Sequence, residues 1–321
     1  MRQESVIGNL RGAARRRGRL SLLLDNEQSL GWLFIAPAVL YIVLLIAFPF
    51  ALALFYSVSD ITIGSREIHF VGLDNFRSVI QTTKFQTALK NTFVFALASQ
   101  AMVIVLANVL ALALLKEYPW KWWRWAKWVL RFLILLPWVA PISLGTIAYL
   151  WIFDSTYSPI NWTLERLGVV PHYGGLMFLG LPRLAMAAVI AVHVWRLLPL
   201  ATVILLAGLS SIPQDIHDAA AVDGAGFWRH LFQITLPLVR PIMLVALLFG
   251  LVLAFTDMIV IFVLTRGGPY DTTQVLANLA FFTGIQGSDL AEGAAIAVFL
   301  FPLLLAAAIG FLRIARRAEV T

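Results

Sequence analysis

An all-α membrane protein with six transmembrane helices is the fold class that this sequence predicts, on three observations. The first is composition: of 321 residues, 60% are hydrophobic and only 13% are charged, against about 45–50% apolar and about 25% charged in a soluble domain. Such a surface suits lipid rather than water. The second is the occurrence of six apolar runs near the ~20 residues a spanning helix needs. The third is the side-to-side alternation of Lys and Arg between those runs. The 22 Phe and 11 Trp agree, since Trp gathers at membrane–water boundaries.

The predicted spans are Leu33 to Ser57, Thr92 to Leu115, Val129 to Phe153, Leu184 to Leu209, Ile242 to Thr265 and Ala294 to Leu312. Runs of this length read as helices, because barrel strands alternate and are shorter. Ala51-Leu52-Ala53 resembles a signal-cleavage site, but the first run is longer and starts later than a signal's apolar region. It is read as a retained helix.

Sixteen Lys and Arg lie in the N-terminal tail, the second and fourth connections and the C-terminal tail, against seven on the opposite side. The positive-inside bias therefore predicts that both termini are cytoplasmic. The chain divides into a basic tail (1–30), a six-helix domain (31–315) and a short C-terminal tail (316–321). Residues 11–24 pattern as an amphipathic surface helix. Between the second and third spans, Trp120, Lys121, Trp122, Trp123, Arg124, Trp125, Lys127 and Trp128 interleave rings and cations. This reads as an interfacial anchor among anionic headgroups rather than a nucleic-acid groove. The net charge of +7 thus implies a lipid partner and no nucleic acid. Without Cys there is no disulfide, thiolate metal site or cysteine nucleophile.

The most informative segment is the cytoplasmic connection 211–237. Ser211 is a plausible N-cap and Pro213 suits a first helical turn. A helix from there through Val222 is followed by Gly224, whose freedom at positive φ suits a reversal. A second short helix, from Phe227 to Ile234, is expected to stop before Pro237. Ala219 and Ala220 permit close approach of another surface, and Asp215, Asp218 and Asp223 add negative charge. The pattern is a knob for a cytoplasmic partner, although an ordinary helical hairpin has the same form.

At these residues the chain resembles the permease subunits of binding-protein-dependent ABC importers, whose cytoplasmic Glu-Ala-Ala…Asp-Gly-Ala loop docks into an ATPase. Here it reads Asp218-Ala219-Ala220…Asp223-Gly224-Ala225, followed by Phe232 and Pro237. Asp218 departs from the usual Glu and keeps the charge on a shorter stem. Phe70-Val71-Gly72-Leu73-Asp74-Asn75-Phe76 with Asn91-Thr92, and Leu264-Thr265-Arg266-Gly267-Gly268-Pro269 with Thr272 or Thr273, are similar to outer segments of carbohydrate-type permeases. They favour the first permease of maltose-like or glycerol-3-phosphate-like systems. The resemblance implies a type I importer fold in the inner membrane. Its implied partners are a second permease, two ATPases and an extracytoplasmic solute-binding protein. It implies alternating access driven by ATP and Mg bound to the partner ATPases, with no cofactor on this chain. None of the five lysines follows a glycine, so no phosphate-cradling loop is present. The chain is expected to be a non-catalytic transducer.

Charges within a bilayer are expensive and mark candidate functional sites. Arg196 and Asp257 fall about 18 Å and about 12 Å from the outer ends of their predicted helices, counted at ~1.5 Å per residue. They are close enough in depth to pair or to share a solute. Trp195 and Phe255 are candidate sugar-stacking rings beside them. A buried network that merely orients helices is the more ordinary account of these charges, since buried charges are usually paired. His193 reads as a satisfied interior histidine, and no metal site is expected. A proton-coupled secondary transporter using Asp257 is the alternative, with Pro199 as a helix kink; an intramembrane enzyme fits less well, because the carboxylates lie in an Ala-rich setting. Di- and oligosaccharides, polyols and glycerol-3-phosphate all fit, a neutral sugar best, since the pathway lacks an arginine cluster for phosphate.

Overall fold

The computed structural model describes residues 27–65, 67–116, 119, 121–171 and 175–319. The predicted amphipathic segment 11–24 lies outside the described residues. Contacts divide the chain into two compact units, Met1–Phe55 and Tyr56–Thr321. In the first, α1 (Glu27–Ile42) passes through a π turn at Val43–Ala47 into α2 (Phe48–Ser57), whose last two residues fall in the second unit. The run Phe34–Ser57 is apolar on all sides, as a lipid-immersed helix is.

Within the second unit, α3 (Asp74–Gln81) is a short helix. Thr82 then caps α4 (Thr83–Leu115), its Oγ1 accepting from the Phe85 N–H. That cap starts α4 nine residues before the apolar run, so the helix is about 50 Å long at ~1.5 Å per residue. It is too long for a hydrocarbon core of about 30 Å and projects beyond it.

The third span is not one helix. α5 (Lys121–Val139) and α6 (Ile142–Ile152) meet at an angle of 99°. Pro141 is the cause: it lacks an N–H and drives the residue before it out of the α region. After α7 (Pro159–Arg166), α8 (Pro182–Ser210) runs unbroken through Pro199.

The connection 211–237 holds α9 (Gln214–Val222), then α10 (Phe227–His230), a π turn (Leu231–Thr235) and α11 (Leu236–Phe255). The expected stop before Pro237 does not occur; helix runs without interruption from Phe227 to Phe255. The wide turn gives the reason. The Leu236 N–H bonds to the Leu231 carbonyl, five residues back, which makes room where a proline ring would otherwise collide with the preceding turn.

The fifth span also departs from expectation. It unwinds at Thr256–Met258 before the short α12 (Ile259–Leu264). α13 (Leu276–Phe281), a π turn (Phe282–Gln286) and α14 (Leu290–Glu319) complete the chain. Among the described residues, five helices are long and apolar enough to cross a membrane, or six if the bent α5–α6 pair is one span.

α4, α8 and α11 form the core. Phe95, Val103, Val189, Leu197, Leu205, Val239 and Phe255 interlock there. Small residues let the backbones approach: a Cβ on Gly208 would sit 2.7 Å from Ile242 Cδ1, and one on Gly250 would run into the Gln100 amide. Close approach through glycine and alanine is the usual basis of helix association in lipid.

The two outer motifs are tied to each other. Asn91 Nδ2 donates to the carbonyls of Asp271 (2.9 Å) and Gln274 (3.0 Å), and Thr92 Oγ1 accepts from the Leu276 N–H (2.9 Å). Thr273 meets the Thr265 hydroxyl at 2.7 Å and donates to the Gly268 carbonyl at 2.6 Å. Asn75 Nδ2 donates to the carbonyls of Ser57 and Ser59. These short polar motifs therefore fasten α3 and α4 to neighbouring loops.

Candidate functional site

Two sets of predicted residues occupy two separate places. The first is the hairpin α9–α10. Its N-cap is Pro213, and Ser211 instead closes α8, its hydroxyl donating to the Gly208 carbonyl at 2.7 Å. Pro213 fits this position because the residue before a helix adopts an extended ψ, here 139°. At the other end, Gly224 has φ +71°. The Ala225 N–H bonds to the Ala220 carbonyl and the Gly224 N–H to the Ala221 carbonyl. This is the Schellman pair, with glycine in the left-handed position.

Two histidines join the helices of the hairpin. His217 Nδ1 lies 2.9 Å from His230 Nε2, and His230 Nδ1 lies 3.2 Å from Thr235 Oγ1. Nothing in the sequence pattern singled out this clasp, because it forms between residues thirteen positions apart. It orients the hairpin so that Asp215, Asp218, Ala219, Asp223 and Gly224 are exposed. Ala220 is buried and Ala225 is half-buried. Beside the acidic residues stand exposed apolar ones: Val222 at 88%, Phe227 at 67%, Trp228 at 66% and Phe232 at 59%. Trp228 and Phe232 stack with centroids 5.9 Å apart. Pro237 is exposed one turn further on. The surface thus combines negative charge, small residues and an apolar patch.

The second place is the middle of the membrane domain. Asp257 sits in the unwound stretch between α11 and α12, not within a continuous helix, so its depth follows from its partners rather than from counting residues. Its Oδ2 lies 2.6 Å from His193 Nδ1 and 3.2 Å from Arg196 Nη2, and its Oδ1 accepts from the Val260 N–H at 3.2 Å. The Asp257 and His193 side chains are buried and that of Arg196 is 15% exposed. Arg196 and Asp257 are thus brought together as a pair. His193, read from sequence as a satisfied interior histidine, is the third member. The carboxylate accepts three hydrogen bonds, one of them from a backbone N–H freed by the helix break. Buried charge is tolerated in this form, paired and hydrogen-bonded. The cluster fastens α8 to the unwound part of the fifth span.

The two aromatic candidates part company. Trp195 is half-buried, edge-on to Tyr149 at 5.1 Å, and lines an apolar cavity of about 240 Å³ with Leu133, Pro137 and Pro199. Phe255 is 4% exposed in the core, edge-on to Phe93 at 5.8 Å. The structure does not bring these rings to a common cavity.

Comparison with known proteins places this geometry. Residues 109–319 match the family described as "Binding-protein-dependent transport system inner membrane component". The sulfoquinovosyl glycerol transport system permease protein SmoG of Agrobacterium fabrum is 31% identical over 295 residues, 92% of this chain and 92% of that protein. The trehalose/maltose transport system permease protein MalF of Thermococcus litoralis is 32% identical over 296 residues, 92% of this chain and 97% of that protein. A crystallised bacterial alginate ABC transporter, in complex with an alginate pentasaccharide-bound periplasmic protein, has a chain with the same fold. It shows a TM-score of 0.77 at 20% identity, covering 90% of this chain and 94% of that one. The resemblance drawn from Asp218 to Ala225 and the outer motifs is borne out: the chain belongs to the family of binding-protein-dependent transport system inner membrane components and is a multi-pass inner-membrane protein.

Proposed function

We propose that this chain is the permease subunit of an ATP-driven importer for a sugar or sugar-like solute, working by alternating access. It pairs with a second permease, takes solute from an extracytoplasmic binding protein and is driven by two cytoplasmic ATPases that bind ATP and Mg. Both termini and the α9–α10 hairpin face the cytoplasm, with residues 31–315 as the membrane domain. The hairpin carries the reading. A rigidly capped element that exposes three carboxylates next to Val222, Phe227, Trp228 and Phe232 matches a groove of opposite charge with an apolar floor. Apolar surface of this kind, rimmed by polar residues, marks a protein contact. The names of the relatives, which include transporters of sulfoquinovosyl glycerol, trehalose and maltose, support a glycoside as cargo.

Asp257, Arg196 and His193 link α8 to the break in the fifth span, and a helix interrupted in this way suits a rocking motion. The chain forms and breaks no covalent bond; it transmits motion. Membership of a binding-protein-dependent family sets aside the proton-coupled alternative. The test is uptake of labelled trehalose and sulfoquinovosyl glycerol by vesicles containing the complete assembly. ATP on the cytoplasmic side should drive accumulation, and a protonophore should leave it intact. Uptake that survives ATP removal and collapses with the proton gradient would overturn the proposal.

A further inference from the structure

Polar side chains inside the helices of this protein follow a rule. Thr92 Oγ1 donates to the Ala88 carbonyl, Ser99 to Ala96, Asn108 Nδ2 to Ile104, Thr146 to Ile142 and Thr202 to Leu198. Each bonds to its own helix three or four residues back, as a polar group surrounded by hydrocarbon must, although Asn108 Oδ1 is left without a partner. Gln100 makes no such bond at all. It is 1% exposed, and neither its Oε1 nor its Nε2 has a hydrogen-bond partner among the described residues.

The location of Gln100 is specific. It lies one residue from the midpoint of α4 and its amide is pressed onto Gly250 of α11, which carries no side chain that could answer it. The layer outside this contact is closed by Phe93 against Phe255, from the same two helices. Arg196, at the midpoint of α8, and His193 also keep one ring or guanidinium nitrogen without a partner, Nε and Nε2 respectively. A leucine would fill the position of Gln100 without leaving an amide unpaired, so packing gives no reason for glutamine here. Buried unpartnered polar groups are rare enough to require an explanation, and intramembrane ones cluster where solutes pass.

We propose that Gln100 lines the solute pathway, its amide held against Gly250 in this conformation and released to water and solute when α4 and α11 part. The inference rests on the importer reading. A primary amide offers an acceptor and two donors, which complements the hydroxyl groups of a polyhydroxylated solute. Gly250 provides the flat seat that the amide leaves and returns to.

The chain has no cysteine, so one introduced thiol reports one position. Gln100→Cys and Val103→Cys, a core residue of the same helix at 1% exposure, are made in the full chain. Each is treated with a charged, water-soluble methanethiosulfonate in membrane vesicles holding the complete transporter, with and without ATP and Mg. A state with the pathway open for about 10% of the time or more labels Gln100→Cys at least about tenfold faster than Val103→Cys. Labelling of Gln100→Cys that depends on ATP supports both the pathway role and the importer. Rapid labelling indifferent to ATP keeps the pathway role and counts against the importer. Equal, slow labelling at both positions under every condition overturns the proposal. As a second arm, Gln100→Leu should raise or preserve the Tm of the purified chain, because it removes the unpaired amide. A lower Tm would mean that the glutamine is a structural hydrogen-bonding group and would overturn the proposal as well.

Discussion

Asp257→Asn is the most searching perturbation of the membrane cluster. The native carboxylate accepts from His193, Arg196 and the Val260 N–H. An asparagine has one oxygen, and its NH2 would point donors at donors. At least one partner is stranded, and the Arg196 guanidinium is left as a half-buried cation without a counter-charge. Breaking a buried ion pair by removing one partner costs about 3–5 kcal/mol, a factor of roughly 150 to 5,000 in the folding equilibrium. Arg196→Met alone should cost less, because His193 and Val260 still answer the carboxylate and the Arg196 side chain is 15% exposed. In the double variant the stranded charge is gone, so the two losses should fall short of their sum by about 1–3 kcal/mol. The assay is denaturant unfolding of the purified chain in mild detergent, followed by Trp fluorescence. Additivity within about 0.5 kcal/mol would show that the pair does not act as a unit and would refute the reasoning.

Gly224→Ala forces a Cβ into a left-handed position with open space around it, so the loss is backbone strain alone, about 1–2 kcal/mol, visible as faster proteolysis of the hairpin. Gly208→Ala drives a methyl group against Ile242 and should destabilise by about 1–3 kcal/mol; adding Ile242→Val should restore much of the loss in the same unfolding assay. Asn91→Ala removes both bonds to the Asp271 and Gln274 carbonyls, costing about 1–3 kcal/mol and raising hydrogen exchange in residues 271–276. The His69 backbone N–H, followed by its side chain, holds the exposed Asp60 carboxyl below the usual carboxylate range. A depressed carboxyl contributes its stabilisation above the unfolded value and loses it as pH falls through the folded one. Protection of the His69 amide should therefore persist from neutral pH down to about 4 and disappear below.

What could be read from the sequence was what is local. Apolar length alone located all six runs, because each helix satisfies its own backbone in lipid regardless of its neighbours. The hairpin was legible for a similar reason: the left-handed Gly224 and the alanines before it set a turn within a dozen residues. The breaks were harder. Pro141 carried a readable signal inside an apolar run that otherwise looked continuous. Thr256–Met258 carried almost none, because the unwound turn is stabilised by His193 and Arg196, about sixty positions earlier in the chain. For the same reason His193 could be read as a satisfied interior histidine but not matched to its partner. Extra length in α4 came from the Thr82 cap, and continuity through Pro237 came from a π turn; neither leaves a mark in hydropathy. Phe255 shared a sequence neighbourhood with Asp257 but turns into the core, since the helix ends between them.

The most direct measurement is disulfide or bifunctional crosslinking from cysteines placed at the exposed Ala219 and Val222 of the hairpin in the cysteine-free chain, within the assembled transporter. A cytoplasmic ATPase subunit should be captured from both positions, with a yield that changes when ATP binds. Capture of nothing at either position by an assembly that still accumulates solute on ATP would contradict the proposal that the hairpin transmits the motor's stroke.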